Sequence, residues 1–124
     1  MLGTGVLLAA LAAPLTPSSA CVAPVGRLVM LKSTDLDPDV FVWDSRQRVI
    51  EYAAGYWRNT QDVLAHSLLA KPGTRARVVS CATGAVRSKY TSERLDAVGV
   101  LLMTGPGRGR YGWVTSEDVH IDTR

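Results

Sequence analysis

The chain has 124 residues, 47% hydrophobic and 20% charged, with 14 basic and 11 acidic side chains and a formal net charge of +3. That length suits one small domain with an appendage, and the composition excludes collagen-like and coiled-coil states and disfavours disorder. No apolar run reaches the roughly 18–20 residues of a bilayer span, and both charge signs alternate along the chain, so nothing demands a nucleic-acid partner.

Every charged side chain lies at or after Arg27. Residues 5–15 (GVLLAALAAPL) form an apolar stretch of signal-peptide length, broken by Pro14 and Pro17, and Ser18-Ser19-Ala20 offers the small residues that a peptidase cleft accepts. We expect residues 1–20 to be a signal peptide cleaved after Ala20, and the rest to be exported, to the periplasm, the cell envelope or the medium. The usual cationic start is reduced to the α-amino group, because no Lys or Arg follows Met1. Either the true start lies upstream or the signal is a weak one.

Cys21 would then be the first residue of the mature chain. Ser18-Ser19-Ala20-Cys21 resembles a bacterial lipobox, in which the thiol receives diacylglycerol and anchors the protein in a membrane. Alternatively Cys21 pairs with Cys81, the only other cysteine, as an oxidising compartment allows. A third reading leaves both thiols unmodified, with Cys81 a small buried strand residue. No C-x-x-C and no Cys/His cluster occurs, so neither a zinc site nor a cofactor is expected.

Residues 22–32 read as a short linker running into a strand over 27–31. Asp35, Asp37 and Asp39 alternate like a calcium loop, but Pro38 interrupts the spacing and the downstream Gly and Glu are missing; a solvated loop fits better. Residues 40–43 (VFVW) suit a short buried strand. Asp44 then reads as a helix N-cap with Gln47 completing a capping box. Val49, Ile50, Ala53 and Trp57 share one face of an amphipathic helix of about three turns, flanked by Tyr52 and Tyr56. Residues 61–70 permit a helix or a strand. Lys71-Pro72-Gly73 ends that segment in a turn.

Beyond it the pattern becomes one of short strands. Residues 74–81 alternate, 82–96 form a polar loop, 98–103 are strand, and 104–110 (TGPGRGR) make a glycine-rich hairpin turn. Residues 111–114 return, 115–118 turn tightly, and 119–121 close. Pro72-Gly73-Thr74-Arg75 together with Gly105, Gly109 and Gly112-Trp113-Val114 resembles bacterial SH3-like domains over residues 68–122. That resemblance implies a small closed β-barrel with Trp113 filling its interior, and a binding or structural role without catalysis. The expected fold is therefore α+β: an SH3-like barrel over 68–122, with the strand and amphipathic helix of residues 21–67 packed on it. Asp118 and Thr115 stand where proline-peptide-binding relatives carry an aromatic and a proline, which turns the resemblance away from a polyproline groove. Its cell-wall-targeting members point instead to peptidoglycan or another envelope polymer.

A hydrolase reading finds no nucleophile elbow and no paired carboxylates, and Ser67 beside His66 is adjacency in sequence alone. A Cys81 dyad with His66 or His120 is less in keeping with an exported strand cysteine than bonding or burial. Candidate ligand-binding residues are Arg108, Arg110 and Tyr111 at the glycine-rich turn, with Arg87, Lys89 and Tyr90 in the long loop. Together they would meet an anionic or peptidic cell-surface component. The alternative is an adaptor domain that binds a protein partner through the Trp43/Tyr52/Trp57 surface.

Overall fold

The computed structural model describes residues 21–33, 39–56, 59–88 and 92–122. In chain order these form β1 (Leu28–Leu31), β2 (Val40–Trp43), α1 (Arg46–Ala53), α2 (Thr60–Ala65), β3 (Ser67–Ala70), β4 (Thr74–Arg87), β5 (Arg94–Leu102), β6 (Tyr111–Thr115), a 3-10 turn (Ser116–Asp118) and β7 (Val119–Ile121). Strand accounts for 47% of the described residues and helix for 18%. All seven strands join one antiparallel sheet in the order β3-β2-β6-β5-β4-β1-β7.

This corrects the expected fold. The sheet is an open, curled half-barrel and not a small closed SH3-like barrel, because β3 and β7 lie at opposite edges and no ladder joins them. Nor are the early elements packed on a finished barrel. β1 is hydrogen-bonded on both sides, to β4 and β7, and β2 on both sides, to β3 and β6. An interior strand satisfies its backbone only through those neighbours, so the residues before 68 complete the sheet.

Side-chain alternation divides the apolar residues between two faces. Val42, Val98 and Val114 join Val29, Leu31, Val78, Val100 and Leu102 in the core enclosed by the curl. Their immediate neighbours Trp43, Ala97 and Trp113 belong to a second cluster, on the outer face, with Val49, Val63 and Val86. Helix α1 covers that outer face across β2, β4, β5 and β6. Trp113 is accordingly not an interior plug. Val114 faces inward, and the indole lies across Gly99, its partner on β5. The one-residue phase of the strand decides the face.

Local chemistry explains the helices. Ser45, not Asp44, caps α1: its hydroxyl accepts from the Arg48 backbone N–H at 3.2 Å. Asp44 is drawn away by His66, to which it is bonded through both backbone and side chain. Gln47 donates along the helix to Glu51 at 3.1 Å instead of back to the cap. The helix stops at Ala54, and Gly55 follows at φ +89°. The ambiguous stretch 61–70 is both things in turn, α2 capped by Asn59 and then β3.

The supposed polar loop 82–96 is also mostly strand. β4 continues to Arg87 and β5 begins at Arg94, with ladder irregularities between Val78 and Ser80 and between Ala82 and Val86. At the second irregularity Gly84 takes φ +65°, and its N–H is received by the Asp96 carboxylate at 2.9 Å. No helix among the described residues is long and apolar enough to cross a membrane.

Candidate functional site

Helix α1 covers only one end of the outer face. Towards the 103–110 turn the same face is open, and there Tyr111, Gly112 and Trp113 of β6, Gly99 of β5, Val79 of β4 and Asp44 line a cleft of about 210 Å³. Its floor is open at Gly99, which carries no side chain on this face, while Gly112 contributes only backbone because its missing side chain would point to the enclosed core. A methyl on Gly99 would meet the Trp113 ring and Ser80 Cβ at 3.3 Å, and one on Gly112 would overlap Val42. Tyr111 is 68% exposed and Val79 38% exposed. The register sets Tyr111 opposite Leu101, Leu101 opposite Arg77, and Arg77 opposite Leu28, so a row of large side chains crosses four strands beside the cleft. Arg77 is fixed within it by donating to the Gly26 carbonyl at 2.9 Å.

Asp44 supplies the acid of the cleft. Its backbone N–H donates to the His66 carbonyl at 2.9 Å, and its Oδ2 lies 2.8 Å from His66 Nδ1. This doubly tied pair holds the carboxylate at the mouth while about half of the side chain remains exposed. Aromatic faces beside a fixed carboxylate suit a ligand with an apolar body and an amino group. They suit a bare polyanion poorly.

The sequence-predicted ligand residues separate into two groups. Arg108, Arg110 and Tyr111 share the turn end of β6, and only Tyr111 lines the cleft. That turn is tightly built: Leu102 N–H donates to Arg110 O at 2.9 Å and Gly109 N–H to Leu102 O at 2.8 Å, with Gly105 and Gly109 at positive φ. Both arginines are exposed, and neither has an ion-pair partner among the described residues. Arg87 stands at the other end of the same meander, directly opposite Arg94. The length of β5 separates the two ends, roughly 25 Å at about 3.3 Å per residue. They do not form a single patch. Lys89 and Tyr90 lie outside the described residues.

The aromatic helix surface is mainly packing. Trp43 is 3% exposed, and its ring centroid lies 4.8 Å from that of Tyr52 and 5.9 Å from that of Phe41. Trp57 lies outside the described residues, which leaves Tyr56, 75% exposed, as the open aromatic of that helix end.

Cys21 is joined to Cys81 by a disulfide, with Cα atoms 6.5 Å apart. The thiol that a lipid anchor requires is thereby taken, and so is the nucleophile of any Cys81 dyad. Asp96 sits against this bridge. Its Oδ2 accepts from Val22 N–H at 3.1 Å, its Oδ1 from Gly84 N–H at 2.9 Å, and its own N–H donates to Ser116 Oγ at 2.9 Å. The roles of Asp44, His66 and Asp96 escaped sequence reasoning because their partners lie far away along the chain. No local motif marks them.

No protein-family model, no curated protein and no solved structure matches the chain.

Proposed function

We propose that this is an exported, non-enzymatic binding module of the cell envelope that holds a peptidic surface component in the outer-face cleft. The observation that carries the reading is the cleft itself: Tyr111 and Trp113 over a glycine floor, beside the tethered Asp44 carboxylate. An extended peptide places its side chains on the aromatic faces and an amino group on Asp44. The exposed Arg108 and Arg110 follow in the adjoining turn, where they suit carboxylates of the same ligand. Of the anionic and peptidic ligands, the acid within the cleft favours the peptidic one.

Export is supported by the apolar, uncharged leader and by the Cys21–Cys81 bridge, which belongs to an oxidising compartment. A catalytic role finds little support, since the tied Asp44–His66 pair has no nucleophile hydrogen-bonded to it among the described residues.

Binding of the purified protein to isolated cell-wall sacculi, and to the peptides released from them, tests the reading. Tyr111→Ala and Asp44→Asn should each weaken retention by about tenfold, equivalent to roughly 1.4 kcal/mol, while Tyr56→Ala, at an exposed residue that does not line the cleft, should leave it unchanged. Retention that is indifferent to both cleft substitutions would remove the proposal.

A further inference from the structure

Asp96 is a partly buried carboxylate that accepts two backbone N–H groups, from Val22 and Gly84, and has no ion-pair partner among the described residues. One of its oxygens lies within 4.8 Å of both the Cys21 and the Cys81 sulfur. The charged residues on the elements around it are Arg94 on β5, Arg75, Arg77 and Arg87 on β4, and Glu117 and Asp118 in the 3-10 turn. None of them is ion-paired with Asp96. A carboxylate held away from bulk water benefits from a nearby positive charge.

The backbone nitrogen of Cys21 is one residue back from the Val22 N–H already bonded to Asp96, along a chain whose Cα-to-Cα step is about 3.8 Å. Residue 21 cannot drift from that place. The disulfide ties it to β4, and Ala23, 0% exposed, anchors the following turn in the enclosed core. We propose that cleavage between Ala20 and Cys21 makes the new Cys21 α-ammonium the counter-ion of Asp96, so that processing of the leader completes the fold. The inference rests on the export reading. In the cleavage a signal peptidase adds water across the Ala20–Cys21 amide: the C–N bond breaks, hydroxide goes to the Ala20 carbonyl carbon, and the freed amine takes protons to become the ammonium. No other cofactor or oxidant enters. In the precursor the same nitrogen is a neutral amide, and among the described residues Asp96 is met by backbone and hydroxyl dipoles.

The test is a four-protein cycle with the disulfide formed in every member. It compares the chain beginning at Cys21 with the chain that keeps Ala20, each with Asp96 and with Asp96→Asn. At neutral pH an α-ammonium, ordinarily titrating near 7.7–8.0, is largely charged. Keeping Ala20 moves that charge one residue away. The midpoint of thermal unfolding should then fall by about 4 °C with Asp96 present and by under about 1 °C with Asp96→Asn. Acetylating the mature Cys21 amine should reproduce the loss without touching Asp96, which covers the case of an Asp96→Asn chain that folds poorly.

A second readout is specific to the ion pair. The amine of 15N-labelled Cys21 should titrate above its ordinary value in the mature chain and return to it in Asp96→Asn. Equal losses in both backgrounds, or an amine titrating at its ordinary value, would overturn the inference. The intact mass of the native protein tests export separately. A chain that does not begin at Cys21 would defeat the export reading whatever the cycle shows.

Discussion

Gly112 has no room for a side chain. A methyl there would overlap Val42 and come within 3.1 Å of the Trp43 carbonyl oxygen, because β2 crosses β6 at the single pairing of Trp43 with Trp113. Gly99 is crowded by the Trp113 ring and Ser80 Cβ at 3.3 Å, contacts that a small tilt of the indole relieves. Gly112→Ala should therefore cost about 2–3 kcal/mol and Gly99→Ala under about 1 kcal/mol, an order that urea denaturation of the two variants measures. A glycine inside a strand pattern marks a close approach of backbones, and Gly112 is legible from the sequence in that sense. The face taken by Trp113 was not. An aromatic between Gly112 and Val114 suits either side of a strand, and only the burial of Val114 with Val98 and Val42 settles the phase.

Among the elements, strand identity was written plainly wherever alternation was unbroken, as in β4 up to Cys81 and in β6. It was obscured in residues 82–96, where Thr83-Gly84 interrupts the pattern. The ladder survives there because Asp96, twelve residues on, receives the Gly84 N–H. Helix α1 was legible from its spacing, but its cap was not, since Asp44 is claimed by His66 across 22 residues. The aromatic cluster beneath α1 supports the sheet. With Trp43 at 3% exposure against Tyr52 and Phe41, Trp43→Ala should cost about 3–5 kcal/mol, read as a loss of the urea midpoint with α1 detaching. The disulfide has a comparable effect through a different state. It closes a 60-residue separation, and Cys81→Ser should destabilise by about 4 kcal/mol in the chain-entropy account, chiefly by freeing the unfolded chain. Urea denaturation with and without a thiol reductant gives that difference directly.

For the whole molecule, the length of the central strands sets what can act together. A polar loop over 82–96 would have been free to fold towards the turn at 103–110, but that segment is largely strand. The observed meander instead places Arg87, opposite Arg94, at one end of β5, and Arg108 and Arg110 at the other, about 25 Å away. That span exceeds the Debye length of about 8 Å at physiological ionic strength, so neither end feels the other's charge. A peptide seated on Tyr111 and Asp44 meets only the turn end. Replacing Arg108 and Arg110 together with Ala should lower retention on isolated sacculi by roughly three- to tenfold, as two partly screened charge contacts at a rim do. The loss should shrink as salt is raised. Arg87→Ala with Arg94→Ala should change retention little, and should if anything stabilise the hairpin by relieving two like charges directly opposite each other. Comparable losses at both ends would mean that the ligand runs the full length of the meander, which a linear polyanion does and a short peptide in the cleft does not.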